Sequence, residues 1–311
     1  MPDQRIKKLI QWYAQHKRSL PWRNTQNPYR ILVSEIMLQQ TQVDRVINFY
    51  TAWLKLFPNW KSLARARTDT LLRAWAGLGY NRRALQLRAA AQHVVTHGTP
   101  GTINEWMALK GVGPYTAAAV YAIVHRQRTV VIDTNVRRVA GRMLLGKPYP
   151  VLADDARIAR SLNRIIPLND AYWEIPQILM DFGTAVCTSR LPACAVCPLQ
   201  KNCRAAKKFL SGTAVKKSRI VSRERTHRNK PYPDRIYRGR ILAAIRTKKT
   251  NAVRTLGHIV DPTFNVTHDM AWLRAMVTRL MRDGLLAQRG QRLFLPTSSR
   301  LPVPLIKEFL H

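Results

Sequence analysis

The stretch LKGVGPYTAAAV, residues 109–120, contains a tight turn that opens directly onto a helix. Gly111 and Gly113 flank an apolar valine in this turn, and such a turn lets backbone N–H groups approach a phosphate closely. The pattern therefore predicts a hairpin between two helices that can hold a phosphate. Alone it is a weak signal, because helix ends also use glycine.

Helical patterns extend on both sides of this turn, from residue 4 to about residue 205. Short breaks such as NTQNPY (24–29) and GKPYP (146–150) separate them. Only TVVID (129–133) has a strand-like run, and it is too short to build a sheet. The sequence predicts a mainly α-helical body.

A second unit is predicted at the C-terminal end. Residues 212–234 carry seven Lys and Arg but few large apolar residues, so we expect a basic linker there. Three helical patterns and a hairpin follow, over residues 239–245, 252–260, 272–288 and 289–296. This order resembles a winged helix and predicts an α+β domain over 235–311.

The charge of the chain points to its partner. The 311 residues include 52 Lys and Arg against 17 Asp and Glu, a formal net charge of +35. Such an excess implies a polyanion, and nucleic acid is the expected one. An anionic membrane surface is the alternative, but the basic residues are spread along the chain rather than packed on one amphipathic helix. The chain lacks an apolar run of about 18 residues and a signal-peptide core, so we expect a soluble, intracellular protein and no membrane partner.

Four cysteines fall within seventeen residues with the spacing C-x6-C-x2-C-x5-C, namely Cys187, Cys194, Cys197 and Cys203. In a reducing compartment such a group binds metal more readily than it forms disulfides. Sulfur ligation of this kind suits either zinc or an iron–sulfur cluster, and the spacing leaves both open. Lys201 lies in the last loop, where it would present positive charge to phosphates.

These motifs resemble a known family. A glycine hairpin, then an apolar segment that ends in Asp133, then this cysteine loop is the order of the helix-hairpin-helix DNA glycosylases with a four-iron, four-sulfur cluster. Three further stretches resemble the MutY-type adenine glycosylases: LPWRNTQNPYRILVSEIMLQQTQV (20–43), WAGLGYNRRALQL (75–87) and MDFGTAVCTSRLPACAVCPLQKNC (180–203). The resemblance covers about residues 8–205.

The resemblance implies the fold and the cofactor of the larger unit. A catalytic domain is expected over 1–211, with a six-helix barrel at about 28–140. An iron–sulfur part would consist of about 1–27 and 141–211. The resemblance also favours a [4Fe-4S] cluster over zinc at the four cysteines.

Glu35 lies among apolar residues in ILVSEIMLQQT (31–41), where an ionised carboxylate is costly unless it is paired or protonated. The resemblance implies that this acid protonates the flipped-out adenine as the N-glycosidic bond breaks. Apolar neighbours such as Met37 and Leu38 would raise its pKa and keep a proton available near neutral pH. The alternative is a structural carboxylate that caps a helix or pairs with an arginine.

Asp133 is expected to stabilise the positive, oxocarbenium-like charge on the sugar, and it can also cap the helix that begins TNVRRV. Tyr115 stands where bifunctional members of the superfamily carry a Schiff-base lysine. A phenol cannot form an imine, so base removal without an efficient lyase step is expected. Tyr115 and Asn135 are expected to hydrogen-bond near Asp133.

The resemblance also implies contacts with DNA around the extruded base. Gln40 and Thr41 would lie at the wedge beside the vacated space, and Tyr80 would enter the stack. Arg23 and Gln177 are expected to contact the edge of the adenine. Leu78 belongs to the same GLGY motif as Tyr80 and is also expected at the DNA. Taken singly, Tyr80 and Leu78 are more often core residues, and Asn81 replaces a tyrosine common in the family.

The C-terminal region departs from the family pattern. Typical MutY enzymes end in a Nudix-like β domain that recognises 8-oxoguanine, whereas residues 235–300 are shorter and helix-rich. That reader is expected to be missing or replaced. A winged helix would bind DNA or a partner protein through a recognition helix at 272–284 and a basic wing at Arg289 and Arg292. The alternative is a helical cap that only stabilises the body.

Three functional hypotheses follow. The leading one is a monomeric, monofunctional DNA repair glycosylase that removes adenine mispaired with 8-oxoguanine or guanine in double-stranded DNA. The second keeps the fold but changes the substrate to thymine or uracil opposite guanine, or to another lesion. The third is a non-catalytic iron–sulfur DNA-binding protein. In each case the protein is expected to lie with the DNA, in the cytoplasm or nucleoid if the source is bacterial.

Overall fold

The computed structural model describes residues 3–215, 226–227, 230–247 and 252–298. Over these ranges the chain is mainly α-helical, as predicted, and residues 129–133 form no strand. None of these helices is long and apolar enough to cross a lipid bilayer. The helices are α1 (Gln4–His16), α2 (Pro28–Leu38), α3 (Val43–Leu56), α4 (Trp60–Ala64), α5 (Thr68–Ala74), α6 (Arg82–His97), α7 (Ile103–Ala108), α8 (Pro114–His125), α9 (Thr134–Leu145), α10 (Asp155–Ile165), α11 (Ile175–Ala185), α12 (Ala206–Leu210), α13 (Asp234–Arg246), α14 (Val253–Val260) and α15 (Val266–Arg282), and the strands are β1 (Ala287–Arg289) and β2 (Arg292–Phe294).

Contacts between residues divide the chain into two compact units. The first comprises Met1–Glu35, Pro100–Ala108 and Val112–Ile220. Its core lies between α1, α9, α10 and α11, where apolar residues recur at helical spacing and face one another. The principal core side chains are Leu9, Trp12, Val139, Met143, Ile158, Leu162, Leu179 and Phe182. This packing holds the beginning of α9, at Asp133, and the end of α11, just before Cys187.

The second unit comprises Ile36–Thr99, Leu109–Gly111 and Val221–His311. Trp53 and Trp75 pack edge to face at its centre, with their ring centroids 5.3 Å apart. The C-terminal helices α13, α14 and α15 form a second cluster in this unit, around buried Tyr237, Leu256, Leu273 and Met276.

The predicted order of three helices and a hairpin at the C-terminal end is confirmed. Strands β1 and β2 pair antiparallel, with Arg289 opposite Arg292. The hairpin begins two residues earlier than predicted, because α15 already ends at Arg282 and Gly284 turns the chain with a φ of 71°. The predicted recognition helix at 272–284 is the second half of α15 and the turn after it.

Within the second unit, the C-terminal residues contact α5 and α6. The Ser298 carbonyl accepts hydrogen bonds from Thr68 Oγ1 at 2.5 Å and from Arg88 Nη1 at 3.3 Å. The Arg246 carbonyl accepts from Arg73 Nη1 at 2.7 Å. The C-terminal helices therefore belong to the same unit as residues 36–99. Most of the predicted linker 212–234, and residues 299–311, lie outside the described residues, and the three-part division of the chain stays a prediction.

Candidate active site

Glu35 lies on α2 between buried apolar residues, and is itself only partly exposed. Burial, and then the negative charge of Asp133, raise the pKa of Glu35 to about 7. Within the described residues its side chain makes no hydrogen bond and no ion pair, so the alternative of a structural carboxylate finds no support. Glu35 can therefore hold a proton at neutral pH in an apolar setting.

Asp133 caps the N-terminus of α9, as predicted. Its Oδ1 accepts a hydrogen bond from the Val136 backbone N–H at 2.6 Å. Its Oδ2 accepts from Asn135 Nδ2 at 2.8 Å. Two donors on the first turn of α9 thus orient the carboxylate, and this turn is the positive end of the helix dipole.

Tyr115 lies in the first turn of α8, near both carboxyl groups. Burial, and then the charges of Glu35 and Asp133, raise the pKa of the Tyr115 hydroxyl well above its usual value, so it stays a neutral phenol. Of the two residues predicted to hydrogen-bond near Asp133, Asn135 does so, whereas no hydrogen bond of the Tyr115 hydroxyl is found in the described part of the chain. The charge of Asp133 therefore acts on Glu35, and the charges of both carboxylates act on Tyr115.

Arg138 connects this group to the cysteine loop, and the sequence reasoning missed it. Its Nη2 donates to Asn135 Oδ1 at 2.8 Å and to the Gly183 carbonyl at 2.7 Å. Its Nε donates to the Cys187 carbonyl at 2.7 Å. Burial lowers the pKa of Arg138, and within the described residues no carboxylate pairs with it directly. The arginine therefore ties the first turn of α9 to the chain that leaves α11.

Close approach of α11 to α9 depends on Gly183. A Cβ at this position would lie 3.0 Å from Asn135 Cβ and 3.1 Å from Arg138 Nη2, so any larger residue would displace both.

The spacing of three residues from Asn135 to Arg138 was the signal in the sequence that could have identified Arg138. The pattern VRRV could not choose between its two arginines, and Arg137 instead pairs with Asp155 at 2.5 Å.

All four cysteines line one cavity. Arg142 Nη1 lies 3.4 Å from Cys187 Sγ, and its guanidinium packs 4.5 Å from the Phe209 ring centroid. Burial raises the pKa of the Cys197 thiol to about 11. No group of three or more His, Cys, Asp or Glu in the described ranges could hold a metal ion, yet the four thiols surround a shared space. Four thiols around one space are a set of donors that an iron–sulfur cluster uses.

The residues predicted at the wedge, Gln40 and Thr41, and those of the GLGY motif lie in two short loops of the second unit. Gln40 and Tyr80 both have left-handed backbone, with φ of 56° and 44°, and both side chains are exposed, Tyr80 by 52%. Thr41 is partly exposed, and its Oγ1 donates to the Gln39 carbonyl at 3.3 Å. Leu78 is only 5% exposed. Leu78 is therefore a core residue, and the structure does not present it to DNA as predicted.

The two residues predicted to contact adenine differ in their surroundings. The Arg23 guanidinium donates to Asp181 at 2.5 and 2.8 Å, and Arg18 binds the same carboxylate. The structure therefore commits Arg23 to a buried ion pair rather than to a free position for a base. Gln177, in the first turn of α11, is partly exposed, and its side-chain amide makes no hydrogen bond in the described part of the chain.

The glycine hairpin lies between α7 and α8. Gly111 has a φ of 83°, and a Cβ there would lie 2.8 Å from Gln86 Cβ, so only glycine fits. Gly113 is exposed at the N-cap of α8 and is followed by Pro114. The first N–H groups of α8 can thus meet an anion. Lys201, in the cysteine loop, is also exposed.

Comparison with known proteins identifies the family of this chain. Residues 33–182 match the model of the HhH-GPD superfamily of base excision DNA repair proteins. An adenine DNA glycosylase of Mycolicibacterium smegmatis is 33% identical over 294 residues, which cover 92% of this chain and 94% of that protein. One of Mycobacterium tuberculosis is 40% identical over 195 residues, 61% of this chain and 64% of the relative, so this match spans less than two thirds of that protein. The chain belongs to the MutY-type adenine DNA glycosylases of the HhH-GPD superfamily.

Solved structures agree on the fold. A thermostable thymine-DNA glycosylase aligns with a TM-score of 0.60 at 25% identity, over 65% of this chain and 95% of that one. A trapped covalent intermediate of endonuclease III with DNA aligns with a TM-score of 0.57 at 22% identity, over 66% and 95% of the two chains. Both structures cover about two thirds of the chain, a share similar to the 61% covered by the Mycobacterium tuberculosis relative.

Proposed function

We propose that this chain is a monofunctional DNA glycosylase that removes adenine mispaired with 8-oxoguanine or guanine. The coupling of two carboxyl groups in different surroundings carries the proposal. Burial and the charge of Asp133 raise the pKa of Glu35 to about 7, while two hydrogen-bond donors orient Asp133. Such a pair can separate a proton donor from a stabiliser of positive charge. The names of the relatives support adenine as the base.

In the proposed reaction, Glu35 donates its proton to a ring nitrogen of the extruded adenine. The bond between adenine and C1′ of the deoxyribose then breaks, and its electron pair leaves with the base. Positive charge develops on the sugar, and the carboxylate of Asp133 stabilises it. Water adds its hydroxyl to C1′ and releases a proton, which leaves an abasic site, and Glu35 takes up a proton again.

Double-stranded DNA with a mispaired or damaged base is the proposed partner of a monomeric protein. The net charge of +35, the exposed N-terminus of α8 and Lys201 support contacts with phosphates. Gln40, Thr41 and Tyr80 would enter the stack where the base has left. Arg289 and Arg292 are exposed side by side on the β1–β2 hairpin, which supports a role of the C-terminal helices in binding DNA or a partner protein.

Substrate and lyase activity can be tested together. Purified protein is incubated with duplexes that carry adenine opposite 8-oxoguanine, thymine opposite guanine or uracil opposite guanine, with and without alkali. We expect breaks only in the adenine strand and only after alkali, because Tyr115 cannot form the imine needed for β-elimination. Breaks opposite guanine would favour the thymine or uracil hypothesis. Intact strands in all three duplexes would favour a non-catalytic DNA-binding protein.

We propose a [4Fe-4S] cluster as the cofactor, held by Cys187, Cys194, Cys197 and Cys203. The four thiols that line one shared cavity support the fit. When bound, the cluster would supply four metal–sulfur bonds that hold the loop carrying Lys201. In the proposed reaction it takes no redox part.

Loss of one ligand should remove the cluster. We expect the purified protein to be brown, with iron and sulfide in equal amounts, and Cys197→Ser to lose colour and most of its iron. Unfolding should then begin at lower temperature, since the loop from α11 to α12 would lose its internal support. Metal analysis and the visible spectrum of both proteins provide the measurement. One zinc ion and no iron in colourless wild-type protein would contradict the proposal.

A further inference from the structure

Arg83 occupies an unusual position at the start of α6. Its side chain is buried, with only 6% of the residue exposed, and it faces two separate loops of the second unit. We name these the wedge loop, residues 39–42, and the tyrosine loop, residues 77–80. The described ranges place no carboxylate next to it, and burial lowers the pKa of Arg83 to about 10, so it remains charged at neutral pH.

The first set of contacts of the guanidinium is with the wedge loop and the helix before it. Arg83 Nη1 donates to the Gln39 carbonyl at 2.5 Å, and Nη2 donates to Thr41 Oγ1 at 3.2 Å. Nη1 also reaches the carbonyls of Ile36 and Met37, at 2.9 and 3.1 Å. These carbonyls lie in the last turn of α2, where the negative end of the helix dipole favours a cation.

The second set of contacts is with the tyrosine loop. Arg83 Nη2 donates to the carbonyls of Leu78 and Gly79, at 3.0 and 3.1 Å. The guanidinium also lies 5.6 Å from the ring centroid of Tyr80 and 5.3 Å from that of Trp75. One planar group with several donors therefore bridges both loops, which a lysine or an apolar residue could not do.

Both loops contain a strained residue next to an atom that Arg83 holds. Gln40 and Tyr80 have φ of 56° and 44°, a region that residues with a Cβ rarely adopt without support. Arg83 binds Gln39 and Thr41 on either side of Gln40, and it binds Gly79 directly before Tyr80. Its hydrogen bonds thus support the chain next to both strained residues.

We propose that Arg83 is a positioning residue that locks the wedge loop to the tyrosine loop, so that Gln40, Thr41 and Tyr80 enter the DNA stack as one rigid unit. The inference rests on the proposed function, since it takes these two loops to be the ones that contact DNA at the extruded base. Arg83 itself touches neither base nor sugar. It acts through backbone carbonyls of both loops and through Thr41 Oγ1.

Arg88 offers a matched control on the same helix. It is fully buried, burial lowers its pKa to about 10 as well, and its guanidinium binds the Ala66 carbonyl and Thr68 Oγ1, both at 2.9 Å. Arg88→Met therefore removes the same charge from α6 without touching either loop. Arg83→Met removes all the bonds of Arg83, and Arg83→Lys keeps the charge but not the planar fork.

Hydrogen exchange of the full-length protein without DNA tests the lock itself. We expect Arg83→Met to speed exchange in peptides covering residues 39–42 and 77–80 by about tenfold, the effect of losing one ordinary hydrogen bond. Arg83→Lys should show part of this effect. Arg88→Met should leave these two loops unchanged, although it lowers the melting temperature. Unchanged exchange in both loops of Arg83→Met would overturn the inference, whatever the protein does to DNA.

Single-turnover excision tests the consequence. At saturating enzyme, Arg83→Met should remove adenine about a hundredfold more slowly, because misplaced groups near a reacting centre cost rate of this order. Its dissociation constant for the duplex should change less than threefold, since phosphate contacts dominate affinity. Fluorescence of 2-aminopurine at the position of the adenine should show less unstacking. Wild-type rate and unstacking in Arg83→Met would overturn the inference, whereas an inactive wild-type protein would refute the proposed function and leave the exchange result to decide the lock.

Discussion

Glu35→Gln should nearly abolish adenine excision while DNA binding persists. Glutamine matches the shape of the acid but has no proton to give, so the single-turnover rate should fall about 10³-fold, within the range for loss of a general acid. The dissociation constant for a duplex with adenine opposite 8-oxoguanine should stay within about threefold, because phosphate contacts dominate affinity. Retained turnover would contradict the role of Glu35.

Glu174→Gln serves as the control for this substitution. Glu174 is a carboxylate of the same unit, but it forms a partly exposed ion pair with Lys17 at 3.3 Å and lies outside the proposed site. Its loss should leave the excision rate unchanged. An equal loss of activity in both variants would mean that the effect of Glu35→Gln does not come from its proton.

The raised pKa of Glu35 also sets the pH dependence of wild-type excision. The acid must be protonated, so the rate should be level below about pH 7 and fall about tenfold per unit above it. Single-turnover rates from about pH 5.5 to about pH 8.5 provide the measurement. A rate that stays level up to about pH 8.5 would show that protonated Glu35 is not needed.

The free energy of unfolding should also decrease as the pH rises. Folding raises the pKa of Glu35 from 4.5 to about 7, so the folded state binds a proton more tightly than the unfolded state. The free energy of unfolding contributed by this proton is largest below about pH 4.5 and is lost as the pH rises through 7. Glutamine avoids this loss. The free energy of unfolding of Glu35→Gln minus that of wild type, measured with urea, should therefore rise by about 2 kcal/mol from about pH 5.5 to about pH 8.5.

Asp133→Asn should reduce excision about 10²- to 10³-fold, because a neutral amide cannot stabilise the positive charge on the sugar. The fold should survive, since asparagine caps helices as well as aspartate does. Asp133→Ser is a useful second variant. It also caps α9, and it avoids placing an amide N–H against Nδ2 of Asn135, which donates to Asp133 in the wild-type protein. Single-turnover rates at saturating enzyme and melting temperatures provide the measurements.

Asp155→Asn is the matched control for Asp133. Asp155 also lies at the start of a helix in the first unit, and it pairs with Arg137 rather than with Asn135. Its substitution removes the same charge and should leave the rate near that of wild type. If Asp133→Asn and Asp133→Ser excise adenine as fast as wild type while Asp155→Asn behaves normally, Asp133 has no part in the reaction.

Contacts distant in the chain were beyond sequence reasoning, and they changed the expectations for Arg23 and Leu78. Arg23 was expected to contact adenine, but Asp181, far along the chain, binds its guanidinium. Leu78 was expected at the DNA with Tyr80, yet packing buries it and leaves Tyr80 exposed. Pairings of this kind depend on which helix faces come together, and no local pattern records that.

The amino-acid sequence by itself determined the features that depend on near neighbours in the chain. These are the helical body, the hairpin turn at Gly111, the cap at Asp133 and the spacing of the four cysteines, because each follows from backbone geometry within a few residues. Only the tertiary structure decided that Asp133 raises the pKa of Glu35 and that Arg83 holds two loops. Charges and hydrogen bonds between remote segments act only once packing has removed water and fixed the distances.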